Sequence, residues 1–219
     1  MPGTTPSLPG APLQPGQRSF FLRPAVEVAP LLLGATLTRN SDEGRVSLRV
    51  TEVEAYLGVG EDPGSHSFRG RTRSNAVMFG EPLHLYTYFT YGMHTCANIV
   101  CSPEGTASGV LIRAGEIVEG IELAQHRRGT AVKPRDLARG PARLVVALGI
   151  PLSDGGADLT RSPYELRMPV HPSPVETGPR TGLGGPGGTP EYPWRFWIPG
   201  DPTVSPYKRH PKLPPFDLS

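Results

Sequence analysis

The chain is expected to fold as a single mixed α+β domain, with a curved, largely antiparallel sheet and flanking helices. Three observations predict this. Strand patterns dominate the first half, a hairpin pattern joins two of them, and helical patterns fall between and beyond without regular βαβ alternation. The 219 residues suit one domain with a sizeable core. The 27 Gly and 27 Pro are unevenly spread. They crowd Met1–Gly16, His171–Pro193 and Pro199–Pro215, while Val46–Ile150 has ordinary globular composition. The reading is therefore a flexible Pro/Gly-rich arm over 1–17 and one domain over 18–219 with a loop-rich C-terminal portion.

In chain order, Pro24–Leu33 reads as a short helix, opened by Pro24, stopped by Gly34 and open to a kink at Pro30. Val46–Glu54 alternates Val46, Leu48 and Val50 with Ser47, Arg49 and Thr51, the pattern of a half-buried strand. Ser65–Asn75 is polar and rich in Gly and Arg, hence a loop. Leu85–Tyr91, dense in aromatics and Thr, is a strand; Gly92 permits a turn, and Thr95–Val100 returns beside it. Val110–Ala114 is a short strand. Ile117–Arg128 reads as a helix ending at Gly129, and Pro141–Leu148 as another ending at Gly149. Trp194–Ile198 is a compact aromatic strand.

Composition bounds the function. No apolar run approaches the ~18–20 residues that span a bilayer, and no secretory signal is visible. Cys96 and Cys101 are too few for a disulfide framework and read as reduced thiols, so a cytoplasmic protein is expected. A net charge of +2 decides nothing about partners. Its distribution says more. All but three of the 22 basic residues are arginines, clustered at Arg69, Arg71 and Arg73, and again from Arg127 and Arg128 through Lys133, Arg135, Arg139 and Arg143. Such clusters suit phosphates.

Four segments concentrate the chemistry: Glu52–Gly58, Ser65–Ser67, Leu85–His94 and Val110–Ala114. A carboxylate ending a strand beside Tyr, His and an aromatic strand suits a nucleobase pocket. Bases stack on aromatic faces, and a carboxylate can orient a water and stabilise the charge that develops on a sugar as its glycosidic bond breaks. The run TEVEAYLG over Thr51–Gly58, followed by SHSFRGRT, LYTYFTYGMH, GVLIRAGE and RGPARL, resembles the alkyladenine (3-methyladenine) DNA glycosylase family from about residue 19 to 205.

That resemblance implies a monofunctional glycosylase acting on double-stranded DNA. It flips an alkylated purine, 3-methyladenine or 7-methylguanine, with ethenoadenine and hypoxanthine as further candidates, and hydrolyses its bond to deoxyribose. Position by position, it makes Glu54 the base that activates water and Arg113 its partner. Tyr56, His66 and Tyr88 become the walls around the flipped base, and Tyr91 the wedge entering the duplex. Asn98 becomes the side chain that obstructs the guanine 2-amino group. Arg71, Arg73, Arg139 and Arg143 are the candidates for the DNA backbone. One departure stands out: in Thr72-Arg73-Ser74-Asn75 the arginine comes one place earlier than in the family pattern.

Other chemistries fit less well. His94, Cys96 and Cys101 do not have zinc-ligand spacing, no H-x-E with P-C-x-x-C of the zinc deaminases occurs, and no cofactor is expected. The lysines lie outside the pocket motifs, and Pro2 has nothing to position it, so no Schiff-base lyase is expected. A base-flipping domain needs no second copy, so a monomer is expected. Two rivals remain: a damage-binding protein that flips without cleaving, and a single-strand binding module using the tyrosines as a platform.

Overall fold

The computed structural model describes residues 10–90 and 92–216. Its organising element is β2 (Gly44–Tyr56), thirteen residues whose apolar side chains alternate as Val46, Leu48 and Val50 and then, one place out of step, as Val53 and Ala55. A two-residue turn joins it to β1 (Thr36–Ser41), and Gly44 takes a φ of +135° to close that turn. The other long side of β2 is filled by β5 (Gly109–Glu119). Beyond β5 lie β4 (His94–Val100) and then β3 (Leu85–Thr90), paired as the expected hairpin around Gly92. On the opposite flank β1 pairs with β6 (Tyr164–Arg167). The C-terminal half of β2 takes β8 (Arg195–Trp197), which carries β7 (Glu176–Gly178). The resulting eight-stranded order is β3-β4-β5-β2-β1-β6 with β8 and β7 attached through β2, and every pair is antiparallel.

One face of this sheet is the core. Val46, Leu48 and Val50 of β2 are buried there, followed by Val53 and Ala55 rather than the residues at 52 and 54. The parity changes because the pairing slips between Val50 and Val53: Glu52 faces Ala114 and Val53 faces Ile112, so Thr51 on β2 and Arg113 on β5 are extra residues. A side-chain period of two means one extra residue exchanges the faces. Without the slip, Glu52 and Glu54 would point into the apolar layer.

Helices cover the core face. α1 (Ala25–Val28) stops after one turn and continues as a 3-10 turn over Ala29–Leu32. The helix expected over Pro24–Leu33 is thus broken in two, because Pro30 lacks an amide hydrogen and its ring crowds the preceding turn. α2 (Ile121–Arg128) buries Ala124, and α3 (Pro141–Leu148) buries Leu144, Val145, Ala147 and Leu148. As expected, α3 begins at a proline and ends on a left-handed glycine, Gly149 at φ +69°. Each fully buried leucine or valine contributes roughly 1.5–3 kcal/mol.

The helix expected from Ile117 begins four residues later. Ile117 pairs with Leu48 and Glu119 with Ser47, so β5 keeps these residues, and the Glu119 carboxylate accepts from Ser47 Oγ at 2.7 Å and Arg45 Nε at 3.0 Å. Short apolar runs do not distinguish strand from helix; here the partner strand decides. Residues 10–13 lie along β6, and Pro15–Leu22 then turns into a 3-10 helix. Pro12 bridges Arg167, the Leu13 amide donates to Leu166 O at 2.8 Å, and the Leu13 side chain is buried.

Gly120 makes the strand-to-helix corner at φ +75°, and a Cβ there would meet Arg45 O at 2.2 Å. Gly120→Ala is therefore expected to destabilise the fold by more than ~1 kcal/mol, read as a lower urea midpoint with unchanged slope. A variant as stable as the wild type would show that the corner does not depend on this glycine.

Candidate active site

The parity change on β2 places Glu52, Glu54 and Tyr56 on the face opposite the core. A row of directly paired residues crosses the sheet on that face: Tyr86, Asn98, Leu111, Glu54 and Arg195. Both carboxylates are fully buried, so each needs partners. Arg113, re-aimed by its bulge, supplies them. Its Nε donates to Glu52 Oε1 at 3.0 Å, and its Nη1 lies 3.4 Å from Glu54 Oε1. Burial alone would ease a proton off this guanidinium, but Glu54 and Glu52 outweigh burial and hold it charged. Glu52 also accepts from Arg195 Nε at 2.6 Å and the Ser205 amide at 2.7 Å.

Glu54 is held differently. Its Oε1 also accepts from the Thr181 amide at 2.7 Å, and its Oε2 accepts only from the Tyr56 hydroxyl at 2.8 Å. A carboxylate offers about four acceptor positions. Three are taken on each acid and each Oε2 keeps one, but only Glu54 lines the cleft. Burial and the neighbouring Glu54 charge push the Tyr56 hydroxyl well above its ordinary pKa, which keeps it a donor.

Beneath this pair lies Arg180, fully buried and the largest such side chain described. It grips Asp62 through two nitrogens at 2.6 and 2.7 Å and donates to Ala55 O at 3.0 Å and Gly187 O at 2.8 Å. Its guanidinium also lies 4.5 Å from the Tyr56 ring centre and 5.1 Å from that of Trp194. Arg180 therefore sets the Tyr56 ring and, through the next peptide, the Thr181 amide that holds Glu54.

The rest of the wall is aromatic. The His66 ring meets the Tyr88 ring edge-on at 4.5 Å, and Tyr86 lies 5.7 Å from Tyr88. His66 Nδ1 is 3.3 Å from the Tyr86 hydroxyl. Part of His66 faces solvent, yet the packed side is desolvated enough to lower its pKa, leaving a neutral ring near pH 7. Burial pushes the Tyr86 hydroxyl up to about 12. Asn98 is buried and fixed by its Nδ2 donating to Tyr86 O at 3.0 Å. Glu54, Tyr56, His66, Tyr88, Asn98 and Arg113 together line a cleft of about 200 Å³. That is below the ~300–1,000 Å³ of pockets for drug-sized ligands and suits one flat heterocycle.

The loop carrying His66 is tied by Asn75, whose Nδ2 donates to His66 O at 3.0 Å and Gly70 O at 3.1 Å. In the departing segment, the Thr72 amide donates to Asn75 Oδ1 at 2.6 Å and Arg73 is exposed. The early arginine thus leaves this tie intact. Arg71 is also exposed, 5.9 Å from the Phe79 ring centre. Arg143 is exposed on α3, whereas Arg139 is occupied, its Nε donating to Val204 O at 2.8 Å. Tyr91 lies outside the described residues. Cys96 and Cys101 are both buried and free, and no cluster of metal-ligating side chains occurs among the described residues. Nor is any described helix long and apolar enough to cross a membrane.

Residues 19–202 match the model of the family described as methylpurine-DNA glycosylase (MPG). The chain belongs to the methylpurine-DNA glycosylase family. Relatives named "Putative 3-methyladenine DNA glycosylase" support this. One from Leifsonia xyli is 62% identical, covering 90% of this chain and 94% of its own. Another from Streptomyces avermitilis is 55% identical, covering 90% and 93%. A third, from Nocardia farcinica, is 48% identical over 84% and 87%.

In this methylpurine-DNA glycosylase, several residues around the site escaped the sequence reading. Glu52 sits in the same motif two places before Glu54 and could have been found by its spacing. Arg180, Asp62, Thr181, Arg195 and Ser205 carried no local signal, since each acts on a partner far along the chain. Removing Arg180 leaves Asp62 charged and buried without compensation. Arg180→Met is expected to destabilise the protein by roughly 3–5 kcal/mol, and adding Asp62→Asn should restore part of that. Urea unfolding of the single and double variants checks this; a single variant near wild-type stability would refute it. For His66, an NMR titration should give a midpoint below the ~6.5 of an unperturbed imidazole, because desolvation opposes its protonation. A midpoint above that value would show that the ring gains charge inside the site.

Proposed function

We propose that this chain excises alkylated purines from duplex DNA as a monofunctional glycosylase, with Glu54 as the general base. The observation that carries the reading is the state of Glu54. It lines the cleft, is buried, is fixed by Arg113, Tyr56 and the Thr181 amide, and keeps one acceptor position on Oε2. Glu52, buried with as many partners, does not line the cleft.

In this mechanism the damaged purine enters the cleft and stacks among Tyr56, His66 and Tyr88. A cationic methylpurine gains from the electron-rich faces and meets no opposing charge from a neutral His66. Glu54 takes a proton from water as the oxygen attacks C1′. The C1′–N bond breaks, and its electron pair leaves with the base. A cationic base departs neutral, so one carboxylate suffices; a neutral lesion such as hypoxanthine also needs a proton on the departing ring. Asn98, fixed against the β3 backbone, would oppose a guanine 2-amino group. Tyr91, following β3, would occupy the gap left in the duplex. No lysine lines the cleft among the described residues, which favours water over a Schiff base.

Single-turnover excision on duplexes carrying a methylated purine, ethenoadenine or hypoxanthine tests the proposal. Glu54→Gln is expected to lower the rate by roughly 10²–10⁴ while DNA binding persists, and the wild-type product should break only after alkali. Tight binding by the wild type without base release would instead make this a damage-recognition protein. Strand breakage without alkali would overturn the monofunctional step.

A further inference from the structure

Among the described residues, three buried side-chain atoms have no hydrogen-bond partner: Thr181 Oγ1, Tyr207 Oη and Arg209 Nη1. Only the first belongs to a residue that lines the catalytic cleft. A buried hydroxyl without a partner works against folding, so its presence beside Glu54 asks for a reason. The backbone at Thr181 is held on both sides. Arg180 is gripped by Asp62 and Gly187 O, and the Gly182 amide donates to Lys208 O at 2.7 Å. The Thr181 amide itself donates to Glu54 Oε1 at 2.7 Å. Two carbons separate the hydroxyl from that nitrogen, so every staggered position of χ1 leaves it close to Glu54. The torsion left free is χ1.

The groups around Glu54 say what this hydroxyl is for. Glu54 Oε2 keeps an acceptor position for one hydrogen of the attacking water. The second hydrogen needs an acceptor of its own. Arg113 has none, and Tyr56 is already engaged with Oε2. Thr181 Oγ1 is uncommitted and carries two lone pairs. Sealed from solvent where it stands, it would reach the water by one step of χ1. We propose that Thr181 is a further catalytic residue, whose hydroxyl accepts the second O–H of the water that Glu54 activates and so aims the oxygen at C1′. The inference rests on the reading of this chain as a glycosylase with Glu54 as base. In the step, one water hydrogen passes to Glu54, the oxygen bonds to C1′, and the C1′–N electron pair leaves with the base. The second hydrogen stays on the new 1′-hydroxyl, so Thr181 neither gains nor loses a proton. A hydrogen bond made only to the attacking water favours the transition state over the bound substrate, and that difference is what accelerates the step.

The test is single-turnover excision at saturating enzyme on duplexes carrying a methylated purine or hypoxanthine, with urea unfolding of each variant in parallel. Thr181→Val keeps the branched side chain and removes the hydroxyl; Thr181→Ser keeps the hydroxyl. Losing one hydrogen bond should slow Thr181→Val by roughly 2- to 10-fold and leave its affinity for lesion DNA unchanged. Its urea midpoint should stay level or rise, because a buried unpaired hydroxyl has gone. Thr181→Ser should keep most of the wild-type rate. The slowing should be equal on every lesion that the wild type excises, since the hydroxyl acts on the water and not on the base. Should Thr181→Val not fold, Thr181→Ala against Thr181→Ser makes the same comparison. A folded Thr181→Val with the wild-type rate overturns the inference, as does equal slowing by Thr181→Ser or a loss confined to one lesion. A wild type that releases no base from any lesion sinks the glycosylase reading and this inference with it. Wild-type excision that is indifferent to the hydroxyl sinks the inference alone.

Discussion

Two carboxylates two residues apart on one strand, both sealed from water, are the constraint around which this molecule is arranged. An uncompensated buried charge costs several kcal/mol, so Glu52 and Glu54 can be buried only if cations and amides converge on them. They converge from four places in the chain: Arg113 on β5, Arg195 on β8, Thr181 after β7 and Ser205 near the C-terminus. Ordering those loops around β2 is the structural consequence of keeping the carboxylates buried. The two acids are then treated differently. Glu52 anchors Arg113, Arg195 and the Ser205 amide away from the cleft, while Glu54, with as many partners, lines it.

The bulge between β2 and β5 makes this compatible with a packed core. It turns the apolar alternation of β2 over at Thr51, so Val50 and Val53 both meet the core while Glu52 and Glu54 meet the opposite face. The same slip frees Arg113 from direct pairing and aims it between the acids. The site residues therefore stand mostly on strands whose other faces are locked in the core, a rigid support that suits preorganised electrostatics. His66 is carried on a loop instead, and that loop is tied down by Asn75.

Charge is sorted by depth. Inside the cleft are a carboxylate paired with Arg113, three tyrosines and a neutral imidazole, surroundings whose aromatic faces suit a cationic heterocycle. Outside it, the cations that no acid engages face solvent, where they suit phosphates. Arg180 belongs to neither group. It is a structural cation, satisfied by Asp62 and carbonyls, and its work is to place Tyr56 and Thr181.

Much was legible in the sequence because it depended on neighbours. The β3–β4 hairpin follows from aromatic and Thr alternation around Gly92, α3 from Pro141 and Gly149, and the polar loop from Ser65–Asn75. The ordered strings from Thr51 to Leu144 pointed to the family and to the residues gathered in the cleft. What the sequence could not decide depended on partners distant in the chain. β1 and β6 lack a strong local pattern and exist through pairing with β2 and each other. Ile117–Glu119 is strand because Leu48 and Ser47 lie opposite. The bulge is a mismatch between two strands and is written in neither alone. Arg180 and Asp62 stand 118 residues apart, and only the closed fold excludes water from both and turns their pairing into the scaffold of the site.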